Sequence, residues 1–194
     1  MCINTKKFIP LIRRSLIGIA TASLCNVAFA AGYGGPYDFG TEPSAEEIAA
    51  IDIDAMPDGR GLPSGSGTHE QGKAVYESTC AACHGPDLQG VKETGGAALI
   101  GGRDTIASGS PKKTVESYWP YASTVFDYVK RAMPFNAPGS LSDDDVYAVV
   151  AYILGEGGVI DKSLVVDASS LPAIEMPNKD GFISDPRPDI FNFE

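Results

Sequence analysis

Cys80-Ala81-Ala82-Cys83-His84 sets two thiols about one helical turn apart, with an imidazole directly behind the second. This is the spacing of c-type haem attachment: the thiols form thioethers with the porphyrin vinyl groups, and His84 becomes an axial ligand of the iron. A lone C-x-x-C can also be a redox dithiol or half of a zinc site. The adjoining histidine and the lack of other thiols remove most of that competition. Four cysteines occur in 194 residues, and two of them, Cys2 and Cys25, fall in a leader-like segment. Once haem has taken Cys80 and Cys83, nothing is left for a structural disulfide. One such motif predicts one haem.

An iron held by His84 takes its other axial ligand from His69, Met56, Met133 or Met176, the candidates beyond the leader. A thioether favours the reduced iron and raises its potential. His84 needs its other ring nitrogen held by a backbone carbonyl, which fixes the tautomer and raises ligand basicity.

The elements that must position these groups are helical. Thr68 followed three residues later by Gln71 is a capping box, and the helix it opens runs into the attachment motif with Val75 and Tyr76 facing inward. Gly72 inside that helix predicts a second helix crossing closely, since a helical glycine otherwise costs about 1 kcal/mol relative to alanine. Residues 85–109 are too rich in glycine for long elements. Residues 114–120 read as a helical turn stopped by proline. Residues 122–132 read as a helix with Val125, Phe126 and Val129 on one face and Lys130-Arg131 at its C-terminal end. A last helix starts at Ser142, capped reciprocally with Asp145, carries Val146, Val149, Val150 and Ile153, and stops at Gly155, Gly157 and Gly158. Tyr76 and Tyr152 are expected to meet where the first and last of these helices cross.

Flanking this mainly α-helical domain (68–158) are two long irregular extensions. Residues 31–67 form an arm of turn chemistry with one short helix expected at 44–50, read either as a flexible leader or as an element lying on the core or on a partner. Residues 159–194 form a tail whose Leu164, Val165, Leu171, Ile174 and Phe182 should wrap the core. That tail also carries Met176, which either reaches over the haem or simply packs. Residues 1–30 read as a cleaved signal peptide: Lys6, Lys7, Arg13 and Arg14, then a short apolar run, then Ala28-Phe29-Ala30. The apolar run is shorter than the roughly 20 residues a bilayer span needs, so no stable membrane anchor is expected.

Four of the fifteen basic residues leave with that leader and all twenty-five acidic residues stay, taking the formal charge from −10 to −14. Nucleic acid and anionic membranes are disfavoured partners, and the charge suits either a basic redox partner or a salt-sensitive docking face.

Further residues resemble class I cytochromes c. That family carries G-P-x-L-x-G after the attachment histidine, where the proline carbonyl accepts the histidine proton. Here Gly96-Ala97-Ala98-Leu99-Ile100-Gly101 puts Ala97 in the proline position, which keeps the carbonyl but loosens the loop. The resemblance implies that Arg103 lies near a haem propionate, against the plainer reading of an exposed loop cation. It also implies that Met133-Pro134, just before the last helix, supplies the second axial ligand, with Met176 the alternative. Trp119, between Tyr118 and Tyr121, either covers the haem edge or belongs to the apolar core.

More specifically, Ser117-Tyr118-Trp119-Pro120-Tyr121-Ala122, Arg131-Ala132-Met133-Pro134-Phe135, Pro57-Asp58-Gly59-Arg60-Gly61-Leu62-Pro63 and Met176-Pro177-Asn178 are similar to cytochrome subunits of Sox-type sulfane dehydrogenases and of periplasmic sulfite dehydrogenases. This implies a periplasmic monohaem electron-transfer subunit that is no enzyme by itself. A molybdenum-cofactor dehydrogenase would be its donor, and a downstream carrier such as another cytochrome c its acceptor. Some members of that group carry two haem domains, whereas this chain has one motif. A free diffusible carrier is the alternative, and a haem enzyme or gas sensor with an open iron position the third possibility.

Overall fold

The computed structural model describes residues 40–185. The expected signal peptide, the first part of the arm and the last residues of the tail lie outside them. Two units divide the chain at Ser44; of the first, only residues 40–44 are described, and all are exposed.

Six α-helices, one two-stranded ladder and two 3-10 turns (Lys92–Thr94 and Leu171–Ala173) make up the regular structure of the described residues: α1 (Ala45–Ile51), β1 (Ser66–Gly67), α2 (His69–Thr79), α3 (Ala81–His84), α4 (Val115–Tyr118), α5 (Ala122–Ala132), α6 (Asp143–Glu156) and β2 (Val166–Asp167). The architecture is mainly α, as the periodicity predicts. Helix α6 is its axis: every residue from Val146 through Gly155 is buried. A helix apolar on all sides must be enclosed on all sides. Helices α2, α4 and α5 and both strands pack on it.

Helix α2 begins with the predicted capping box, in which Thr68 accepts from the Gln71 amide and its own amide donates to the Gln71 side chain at 2.9 Å. It crosses α6 at Gly72. A Cβ there would overlap the Ala148 carbonyl, so only glycine allows the approach. Tyr76 and Tyr152 meet at the crossing with ring centroids 5.2 Å apart. At the start of α6, Ser142 Oγ accepts from the Asp145 amide at 3.2 Å. The return bond differs from the expected one, since the Asp145 carboxylate accepts from the Ser142 hydroxyl at 2.6 Å. The helix also continues through Gly155, with Gly157 at its C-cap.

His69 is held in place by the fold rather than left free to bind iron. It is the first residue of α2 and only 16% exposed. Its Nε2 lies 2.8 Å from Glu156 Oε1, and its ring stacks obliquely on Tyr152 at 5.0 Å. The C-terminal end of α6 is thereby tied to the start of α2.

Both extensions join the core. From the arm, Ala55 is buried, Ser123 Oγ donates to the Pro57 carbonyl at 3.1 Å, and Tyr147 OH donates to the Pro63 carbonyl at 2.8 Å. The tail buries Val166, Leu171 and Met176. Of the apolar tail residues expected inside, Leu171 is buried and Ile174 partly so, while Leu164, Val165 and Phe182 are exposed. The ladder sets this register: pairing of Ser66 with Asp167 and Gly67 with Val166 turns Val166 inward, and strand alternation turns its neighbour Val165 out. Helix α1 appears close to where it was expected, but none of its residues is buried.

One carboxylate fastens the arm. Asp127 Oδ1, on α5, accepts from the Ala55 amide and from Arg131 Nε, both at 2.9 Å. Desolvation alone would raise the Asp127 carboxyl, but the Arg131 ion pair and the Ala55 amide outweigh it and hold it below the usual carboxylate range. A carboxyl depressed on folding adds stability above its unfolded value of about 3.9, and that stability is lost as pH falls through the lower folded value. Asp127→Asn should therefore be less stable than the parent by about 1–2 kcal/mol near pH 7. In denaturant titrations the gap should close progressively below about pH 4.

Candidate functional site

The attachment motif is a single helical turn, α3, joined to the end of α2 at Cys80. Cys80 ends α2 and begins α3, and its carbonyl accepts from the amides of Cys83 at 3.1 Å and His84 at 2.9 Å. This single turn brings both thiols and the imidazole together. Neither sulfur is in a disulfide. Cys83 is exposed; Cys80 is half-buried, and burial pushes its thiol up. Tyr76 secures the turn from below, its hydroxyl donating to the Gly85 carbonyl at 2.7 Å. Burial pushes that phenol up as well, which keeps it a donor.

The glycine-rich loop closes over the motif's carbonyls. Gly90 N–H donates to the His84 carbonyl at 2.7 Å and Val91 N–H to the Cys83 carbonyl at 3.1 Å, and Val91 bridges to Gly96. At Gly96 a Cβ would overlap the Cys83 carbonyl, so glycine is what lets the loop approach. This approach brings the Ala97 carbonyl to 2.7 Å from His84 Nδ1. An Nδ1–H donated there leaves the Nε2 lone pair for a metal.

Met133 is the C-cap of α5, its amide donating to the Val129 carbonyl at 3.1 Å. It is half-buried, packed against the core as Leu99, Ile100, Trp119 and Leu141 are, and all five stay partly open. Met176 is only 3% exposed and belongs to the core cluster. Its strip of tail runs along the aromatic segment: Glu175 bridges to Tyr121, and Asn178 Nδ2 donates to the Tyr118 carbonyl at 2.8 Å. Met56 is 41% exposed, and His69 is engaged with Glu156. Trp119 meets Tyr128 edge-on at 5.6 Å, and Tyr118 meets Phe182 at 5.2 Å.

Arg103 lies between two partners, Nε donating to Glu116 Oε1 at 2.9 Å and an Nη to the Gly157 carbonyl at 2.8 Å. Glu116 also accepts from the Gly101 amide at 2.6 Å. Arg103 thus ties the loop after Ala97 to α4 and to the end of α6. Sequence reasoning passed over Glu116, although a carboxylate in the first turn of a capped helix, thirteen residues from Arg103, was a usable signal.

A cytochrome c family model matches residues 69–155, from the start of α2 almost to the end of α6. A chain in the crystal structure of the sulfane dehydrogenase SoxCD from Paracoccus pantotrophus is 38% identical, with a TM-score of 0.72, over 81% of this chain and 79% of that one. The chain belongs to the cytochrome c family. The cytochrome is also similar to two thiosulfate dehydrogenases. That of Stutzerimonas stutzeri strain A1501 is 31% identical over 113 residues, and that of Allochromatium vinosum is 27% identical over 113 residues. The matched regions are 57% and 54% of the cytochrome but only 33% and 38% of those relatives, so it spans little more than a third of their length.

The family's cofactor is a covalently held haem c, and the donor set suits it. Two unbridged thiols share a turn with an imidazole whose Nδ1 faces a carbonyl, and half-open apolar side chains remain for an apolar plate to cover. Cys80 and Cys83 would supply the thioether sulfurs, and His84 Nε2 would be a nitrogen donor to the iron. Among the described residues no helix is long and apolar enough to cross a membrane.

Proposed function

We propose that the cytochrome is a periplasmic monohaem electron carrier acting as subunit of a molybdenum-cofactor dehydrogenase that oxidises sulfane sulfur or sulfite. The observation that carries this is the extent of the match to the SoxCD chain. It covers 81% of the cytochrome, whereas the family model covers less than half, so the likeness takes in extensions that an ordinary cytochrome domain does not need.

In this reading Cys80 and Cys83 would bind the haem, His84 and Met133 would hold its iron with Met176 the alternative, and the Ala97 carbonyl orients His84. Arg103 and Trp119 belong to the haem surroundings. Haem held there would supply one-electron chemistry, with the dehydrogenase as donor and a carrier such as another cytochrome c as acceptor. The arm offers a docking element: Ile48, Ile51 and Ile53 are 45%, 78% and 47% exposed, among acidic neighbours Glu46, Asp52 and Asp54. Apolar side chains within an acidic rim suit an apolar site on a basic partner surface.

One observation favours a free carrier instead: Ala55, Val166, Leu171 and Met176 of the two extensions are buried in the chain's own core. A single experiment separates the readings. The native protein is purified with its bound partner, and haem reduction by sulfite and by thiosulfate is followed with and without the molybdenum subunit. Rapid reduction is expected only with that subunit. Equal rates with and without it would overturn the proposal, and a lone species near the 20.3 kDa chain mass on gel filtration would favour the free carrier.

A further inference from the structure

Two adjacent cations end α5, and the helix dipole accounts for neither geometry in full. Arg131 folds back onto Asp127, the anchor of the arm. Lys130 reaches the other way, across the base of the excursion that leads from Met133 to α6. Its Nζ lies 2.6 Å from Asp143 Oδ1, in the first turn of α6, and donates to the Leu141 carbonyl at 3.4 Å. The ammonium side chain is 24% exposed and the carboxylate 36%, so the pair is partly withdrawn from water.

The excursion has little else to hold it. Residues 135–140 are all exposed, Phe135 to 85%, and the backbone bonds within it are local: Ala137 N–H to the Pro134 carbonyl at 2.8 Å and Ser140 N–H to the Ala137 carbonyl at 3.3 Å. Only Leu141, at its far end, packs on the core.

We propose that Lys130 is a positioning residue for Met133. By joining α5 to α6 across the loop base, it keeps the half-buried thioether in place and sets how readily the methionine gives up the iron. This deepens the reading of Met133 as axial ligand and rests on it.

Exogenous imidazole is the probe: it replaces the thioether on the ferric iron, with no electron transferred. Lys130→Met should bind imidazole about tenfold more tightly than the parent, equivalent to about 1.4 kcal/mol, and lose the methionine–iron charge-transfer band at correspondingly lower imidazole. Asp143→Asn should shift binding in the same direction, and the double variant should add little, as a coupled pair requires. Lys130→Arg should recover most of the parent behaviour. Lys73→Met removes a cation whose pair with Glu77, at 3.8 Å, is exposed, and should change nothing.

Parent-like imidazole binding by Lys130→Met or by Asp143→Asn would overturn the clamp. An equal shift in Lys73→Met would reduce it to a general charge effect and overturn it too. Met133→Ala separates the two levels: if that variant keeps the band, the ligand assignment itself fails and the clamp falls with it.

Discussion

Gly72→Ala should lose about 2 kcal/mol of stability, and Gly72→Val should fail to fold around its haem. Alanine in place of a helical glycine normally gains about 1 kcal/mol, so a loss would reverse the ordinary sign. The reason is local: the added Cβ overlaps the Ala148 carbonyl and lies 2.8 Å from Tyr152 Cβ. Neither is the free end of a flexible side chain, so α2 and α6 must separate, and overpacking of this kind costs about 1–3 kcal/mol or more. Chemical denaturation followed by Trp119 fluorescence measures it. Gly109→Ala is the control, because nothing lies within 4 Å of its added Cβ. It should stay within about 0.5 kcal/mol of the parent. A Gly72→Ala protein as stable as that control would refute the close crossing.

Met133→Ala should abolish the methionine–iron charge-transfer band and open the iron to added ligands. Its potential should fall on the order of 0.1 V, within the roughly 0.8 V that axial ligands span. Met176→Ala should keep the band and instead lose about 2–5 kcal/mol, the usual cost of truncating an enclosed methionine. The contrast follows from position. Met133 ends a helix and is half-open, whereas Met176 is 3% exposed within the core. Spectra and denaturation of both variants check it, and the opposite pattern would move the ligand to Met176.

Much of the fold was legible because the two helices that cross at Gly72 announce themselves locally. Thr68 with Gln71 and Ser142 before α6 are capping signals within three residues of what they cap. Gly72 and the Tyr76–Tyr152 pair could be foreseen because a helical glycine beside a buried tyrosine needs a neighbour. What stayed hidden depends on distant pairing. Nothing near Val165 or Val166 says which faces inward; that is decided by a ladder to residues about a hundred positions earlier. Nothing near His69 shows that Glu156, 87 residues away, holds it. At the site, the attachment turn was explicit in residue spacing. The roles of Glu116, Asp127 and Lys130 were not, since a charge shows its partner only after folding.

The dependence of α2 on α6 has a consequence for the order of events as the chain is made. Synthesis runs from the N-terminus, so the turn bearing Cys80, Cys83 and His84 is complete more than fifty residues before the helix that encloses its neighbour Tyr76. Until residue 156 or so has emerged, Gly72 has nothing to press against, and the strand at Ser66–Gly67 lacks its partner for longer still. The topology thus gives the two thiols an interval of open access before the fold closes.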